Sequence, residues 1–279
     1  MKQELWEHIK KTIGAGEDIL LSGLDGSART YFLHQLADKR RGKLLCMVSS
    51  EEKAYDLAGD LKLLMGENKV FLFLERDFIF MKENSSLSEV QRILTLQELL
   101  LHPQRQAVII TTPGGILYQI MSAREMQQRT LTLETGQDIA IGQLLTLLVA
   151  AGYERVDTVT RPGQLAARGG LVDVYPVGDR QPCRIDFFGD TIDVIKHFDL
   201  NSQRSTQTVQ QVMIHPCDEI ENASSAASLL DYLPPRSLIF FDEPRDFYSA
   251  LEKQSKRYRD HLAEARKEDK SIVALQLLT

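Results

Sequence analysis

The chain has 279 residues, 43% of them hydrophobic and 26% charged, with a formal net charge of −6. That length holds roughly two domains of ordinary size, and the acidic balance argues against a surface that grips nucleic acid mainly by neutralising phosphates. No apolar signal region opens the sequence and no run reaches the ~18 apolar residues of a membrane span, so a soluble, cytoplasmic protein with no membrane partner is expected.

Leu5, Trp6, Ile9 and Ile13 recur at helical spacing and predict an amphipathic helix over Gln3 to Ile13. Asp18 to Gly23 then reads as a buried strand entering a glycine turn, with a helix from about Arg29 to Asp38. This is the strand, loop, helix order of a phosphate-binding loop. The segment from Gly23 through Gly26 to Thr30 aligns with Gly-x-x-x-x-Gly-Lys-[Ser/Thr], but Ala28 stands at the second glycine and Arg29 at the lysine. Glycine lets the backbone wrap a phosphate, and a compact ammonium reaches the β- and γ-phosphates. A Cβ and a planar guanidinium do both poorly, and Asp25 adds a negative charge to the cradle. A relic loop with structural duty is expected, with ATP hydrolysis as the rival reading.

Strands are predicted at Lys43 to Val48, Lys69 to Leu74 and Ala107 to Thr112, separated by helices over Glu51 to Leu64 and Ser88 to Leu99. Continuously apolar strands alternating with helices predict a parallel sheet covered on both faces. A middle region follows, with a strand at Thr130 to Leu133, a helix from Ile141 to Ala151 capped by Gly152, and a strand entry at Tyr153 to Val156.

The stretch from Arg161 to Arg204 carries six basic residues (Arg161, Arg168, Arg180, Arg184, Lys196, Arg204) and six acidic ones (Asp173, Asp179, Asp186, Asp190, Asp193, Asp199). Its charge is zero, which suits a protein partner better than DNA. Two runs rich in Ile, Val and Phe flank Gly189-Asp190, a hairpin signal. If Phe188 faces Thr191, then Phe187 meets Ile192, Ile185 meets Val194 and Cys183 meets Lys196, making one face almost wholly apolar. The opposite face carries Arg184, Asp186, Phe188, Thr191, Asp193 and Ile195. An aromatic and a guanidinium on a rigid hairpin suit an interface anchor. Equally, Phe188 could lie beneath a neighbouring domain and Arg184 could pair with Asp186 or Asp193 in a solvated cluster of little energetic worth.

Beyond Ser205 a strand near Val209 to Ile214 ends at His215-Pro216. Ser237 to Phe241 is a further strand, ending in Asp242-Glu243. In an active NTPase such a pair holds Mg²⁺ and orients water; beside a degenerate loop it is expected to cap the next helix. That helix is predicted from Pro244 to Asp269, with Phe247, Leu251, Tyr258 and Leu262 on an apolar stripe and charges of both signs on a solvated face. Cys46, Cys183 and Cys217 form no Cys-x-x-Cys, and the six histidines do not combine at ligand spacing. No metal site and no catalytic triad are expected. The last residues, Leu278-Thr279, show no domain end, so the chain reads as an excerpt of a longer protein.

The run Gly-Gln-Leu-Ala-Ala-Arg-Gly-Gly-Leu-Val-Asp-Val-Tyr-Pro, followed by Arg-Ile-Asp-Phe-Phe-Gly-Asp-Thr-Ile-Asp and Phe-Asp-Leu-Asn-Ser-Gln-Arg-Ser, closely resembles the module shared by the excision-repair protein UvrB and the bacterial transcription-repair coupling factors. In that family the module docks UvrA. The resemblance puts the family's interface residues on Arg168, Arg184 and Phe188. It implies a degenerate P-loop helicase-like lobe with a parallel sheet (residues 1–118 and 205–279, the latter with a long C-terminal helix), split by an α+β insert (119–204). The interval Glu75 to Leu87 leaves no room for UvrB's aromatic DNA-clamping hairpin, since Phe78 and Phe80 are its only aromatics. The resemblance therefore points to the coupling factors. It implies a non-catalytic region without cofactor, in a full-length ATP- and Mg-dependent translocase whose other partners are RNA polymerase and double-stranded DNA.

Overall fold

The computed structural model describes residues 3–39, 42–75, 87–219 and 226–267. In chain order these form α1 (Gln3–Gly14), α2 (Ser27–Lys39), β1 (Lys43–Met47), α3 (Glu51–Met65), β2 (Val70–Phe73), α4 (Leu87–Leu101), β3 (Ala107–Thr111), α5 (Pro113–Leu117) and α6 (Ala123–Arg129). There follow β4 (Leu131–Glu134), α7 (Ile141–Ala150), β5 (Glu154–Arg155), β6 (Gln164–Arg168), β7 (Leu171–Val174), β8 (Cys183–Phe188), β9 (Thr191–Phe198), β10 (Ser205–Val209), β11 (Gln211–Ile214), β12 (Leu238–Phe241) and α8 (Pro244–Lys267).

The apolar runs that predicted a doubly covered sheet form one, in the order β12-β1-β3-β2, with every pairing parallel. Period-2 alternation sends Leu44, Cys46 and Ile110 toward α1, α2 and α3, and Leu45, Met47 and Ile109 toward α4, α6 and α8. Ser50 caps α3 by accepting from the Lys53 amide at 3.3 Å. At the carboxyl end of β3 a Cβ on Gly115 would fall 2.2 Å from the Phe73 carbonyl oxygen, so only glycine lets α5 start against β2.

Asp18 to Gly23 does not form the predicted strand. Ile19, Leu21 and Leu24 rest on the core cluster below, but Leu20 is 90% exposed. One apolar side suffices to lay a segment over a core without pairing its backbone, and β12 is left as the edge of the sheet. Phe78 and Phe80, and the side chain of Leu262, lie outside the described residues. Among the described residues no helix is long and apolar enough to cross a membrane.

The middle of the chain builds a six-stranded sheet, β10-β9-β8-β7-β6-β5, antiparallel except where β5 joins β6, and β11 pairs antiparallel with β4. α7 covers the inner face through Leu144 and Leu148, against Val172, Ile185 and Ile195. Gly152, at φ +90°, turns the chain out of α7 as its residue type foretold.

The hairpin register departs from the prediction after two pairs. Phe188 does face Thr191 and Phe187 does face Ile192, but a bulge at Asp186/Phe187 shifts the ladder, so that Ile185 meets Ile195, Arg184 meets Lys196 and Cys183 meets His197. The bulge absorbs the surplus residue of β9, exposed Asp193. Ile195 thereby turns inward and is fully buried, while Val194 and Lys196 come to the outer face. An unbroken register would have put Ile195 in solvent, and burial of that side chain decides the geometry.

The two sheets meet where the chain enters and leaves the middle region. Arg92 on α4, fully buried, donates its Nε to Glu219 Oε1 at 2.5 Å and lies over the Phe73 ring at 3.8 Å. Gln97 donates to the Val177 carbonyl at 3.0 Å, and Tyr232 donates its hydroxyl to the Met121 carbonyl at 2.8 Å. His215 sits in the same joint with Nδ1 3.0 Å from Thr130 Oγ1, and burial lowers its pKa.

Replacing Arg92 by Leu should cost about 3 kcal/mol or more in urea-unfolding experiments, because Glu219 is left charged and unpaired in the interior. A double replacement with Glu219→Leu should recover part of that loss. His215 is held neutral in the folded chain, so its contribution is complete above the ordinary histidine pKa of 6.5 and is lost as pH falls below it. The unfolding midpoint should drop between roughly pH 7 and pH 5, and His215→Gln should flatten that part of the profile.

Candidate protein-docking site

Alternation along the strands of the six-stranded sheet fixes which side chains leave the core. On β8 the inward set is Cys183, Ile185 and Phe187, so Arg184, Asp186 and Phe188 face out. β7 lies between β6 and β8 and pairs Leu171 with both Arg168 and Asp186, and Asp173 with both Ala166 and Arg184. The turns at Gly169 and Gly189, with φ of +58° and +64°, stand at the same end of the sheet. Their proximity is direct, since the Phe187 amide donates to the Gly170 carbonyl at 2.8 Å. Arg168 closes β6 at one turn and Phe188 closes β8 at the other.

The three sequence-predicted docking residues thus share one face, in different states. Phe188 is 83% exposed, and Leu171 beside the neighbouring turn is 40% exposed. Arg168 is exposed, and its Nη2 donates to Thr158 Oγ1 at 2.8 Å and to the Asp157 carbonyl. Arg184 is not free. It donates Nε and Nη2 to the two oxygens of Asp173 at 2.7 and 2.8 Å, sends Nη1 to the Gln203 carbonyl at 3.2 Å, and lies over the buried Phe198 ring at 4.8 Å. Its pKa is raised, chiefly by the hydrogen bonds to Asp173. Its side chain retains 21% exposure. Neither Asp186 nor Asp193 is its partner, contrary to the reading from the hairpin alone. Asp186 accepts from Lys196 at 2.8 Å, and Asp193 is exposed at the bulge. Asp173 was missed because it lies on another strand; only the registers of β6, β7 and β8 together could have found it.

The residues of the Gly23 to Thr30 loop and of Asp242-Glu243 converge elsewhere. Gly23 and Gly26 take positive φ (+76° and +52°), and α2 starts at Ser27. Arg29 reaches across to Asp242, at the end of β12, in an ion pair of 2.7 Å, with the Asp242 side chain 6% exposed. Asp242 therefore holds the loop, and the hydrogen bond that engages its carboxylate is with Arg29, not with the first turn of α8. Glu243, exposed and at φ +50°, accepts through its backbone carbonyl from the Asp246 and Phe247 amides at the start of α8. Thr30 is buried and its hydroxyl is 3.3 Å from Asp60 Oδ2, while Ala28 is exposed. Burial pushes the thiols of Cys46, Cys183 and Cys217 upward, the last to about 12. Among the described residues no group of three His, Cys, Asp or Glu is placed to hold a metal ion.

Residues 131–219, which hold the whole six-stranded sheet, match the family model of the UvrB interaction domain. The chain is 30% identical over 204 residues to the transcription-repair-coupling factor of Bacillus subtilis, covering 72% of this chain and 17% of that protein. It is 28% identical over 220 residues to the transcription-repair-coupling factor of Escherichia coli, covering 78% and 19%. It is also 26% identical over 212 residues to UvrABC system protein B of Thermosipho africanus, covering 71% and 32%. The chain thus spans less than a fifth of the two coupling factors. Residues 131–219 thus match the UvrB interaction domain, and the chain over some 70% of its length is similar to transcription-repair-coupling factors and also to UvrABC system protein B.

Proposed function

We propose that this chain is the UvrB-homology adapter region of a transcription-repair coupling factor, and that its six-stranded sheet docks UvrA through Phe188, Arg168 and Arg184. The observation that carries the reading is Phe188, an apolar ring 83% exposed at a hairpin turn, on a face it shares with the exposed Leu171 and with Arg168 and Arg184. Leaving such a ring in water forfeits the stabilisation of burial, and an aromatic beside arginines is the composition of an interface anchor.

On this reading the parallel-sheet lobe is a degenerate P-loop helicase lobe split by the insert, and it serves as a cytoplasmic scaffold; β10 and β11 carry the insert past the expected boundary at residue 204, to Ile214 at least. The ion pair between Arg29 and Asp242 occupies the place where a phosphate-bound lysine and a magnesium-bound acid would otherwise stand. ATP and Mg²⁺ then belong to the translocase part of the full-length protein, as do RNA polymerase and double-stranded DNA. The region's own task is to bring UvrA, and with it nucleotide excision repair, to stalled polymerase.

Calorimetric titration of the chain with purified UvrA tests the docking. Phe188→Ala should weaken binding by roughly 2 kcal/mol or more, about thirtyfold, with an unchanged unfolding midpoint. An unaltered affinity would overturn the assignment. Titration with ATP and Mg²⁺ should give no binding heat at millimolar nucleotide, whereas saturable binding would revive the NTPase reading.

A further inference from the structure

The two arginines of the outer face are held by different chemistry. Arg168 is anchored only by neutral acceptors, the Asp157 carbonyl and the Thr158 hydroxyl, and among the described residues it makes no ion pair. Its positive charge is exposed and has no ion-pair partner among the described residues. Arg184 is clamped by both oxygens of Asp173 in a fork that leaves the pair nearly neutral. A guanidinium has five N–H donors. Asp173 takes two of Arg184's and Gln203 a third, so the two left over point away from those partners. The next cation on the face, Lys196, is paired with Asp186.

Resting on the reading of this face as a UvrA-docking surface, we propose that the two arginines recognise different groups in the partner. Arg168 meets a carboxylate, whereas Arg184, neutralised and oriented by Asp173, donates to an uncharged oxygen such as a backbone carbonyl. Asp173 is its positioning residue. A second carboxylate brought to Arg184 would face Asp173 at close range, and like charges so placed repel strongly when water is excluded. An uncharged acceptor meets no such penalty. Arg184 is also braced on Phe198, so it offers a fixed edge and loses little side-chain entropy on binding.

Ionic strength separates the two roles. Raising NaCl from about 50 to about 300 mM moves the screening length from above to below ~10 Å, so the affinity of the parent chain for purified UvrA should fall. Arg168→Gln should weaken binding about tenfold at low salt and flatten most of that dependence. Arg184→Gln combined with Asp173→Asn, which removes both charges of the pair at once, should weaken binding by a similar factor and keep the parental slope. Asp173→Asn should weaken binding several-fold in the parent and make no further difference once Arg184 is Gln; a merely structural role would add in both backgrounds. A salt slope flattened equally by Arg168→Gln and by the paired replacement at Arg184 and Asp173, or additive effects of Asp173→Asn and Arg184→Gln, would overturn the proposal. A parent chain that does not bind UvrA, or whose binding ignores Phe188→Ala, would overturn the docking reading itself.

Discussion

A guanidinium sealed from water cannot be left without its counter-charge, and the architecture of this chain turns on that constraint at Arg92. The residue lies on α4, inside the lobe formed by the parallel sheet, while Glu219 belongs to the strand of chain returning from the middle region. Neither can leave the other except at the cost of an unpaired charge in the interior. The pair therefore locks the exit of the middle region against the lobe. The Gln97 to Val177 and Tyr232 to Met121 hydrogen bonds secure the same junction from other directions. Whatever binds the six-stranded sheet is joined to the lobe through this buried contact.

Much of this was legible in the sequence, for a definable reason. Strands such as Ala107–Thr111 run apolar from Ala107 to Ile110 without alternation, and that pattern has one stable solution, a sheet covered on both sides. Gly152 could be assigned because only its residue type suits the turn after α7. The failures share a cause of the opposite kind. Asp18 to Gly23 has three consecutive apolar residues, of which Ile19 and Leu21 rest on the core and Leu20 does not, too short a run to demand a partner strand. The hairpin was read as an isolated pair, and a two-residue turn then implied an unbroken ladder. The core beneath it required Ile195, and one extra residue in β9 was accommodated by bulging. Composition cannot show that adjustment, because both registers place plausible pairs opposite one another.

The candidate site divides along the same line. That Phe188 stands outward follows from parity near the turn, on the turn side of the irregularity, and so survived it. That Arg184 has Asp173 as its counter-charge depends on which strand lies beside β8, a long-range fact. The nucleotide loop shows the complementary case. Ala28 and Arg29 marked the loop as departing from the phosphate-binding pattern, but the contact of Arg29 with Asp242 spans 213 positions of sequence and appears only once β12 is placed beside β1. The arginine that departs from the pattern is also the one that ties the loop to the end of β12.

The orientation of β7 carries a mechanical implication. Its first residue adjoins the Gly169 turn, while the loop after its last residue rests on α4 through Val177, so the exposed ring and the seam with the lobe lie at opposite ends of the sheet. β8, with six residues, spans roughly 20 Å. A molecule held at the far end would act on that seam with the leverage of a rigid arm, and its pull would arrive as a bending moment on the buried Arg92 contact, leaving the parallel sheet itself largely unstressed.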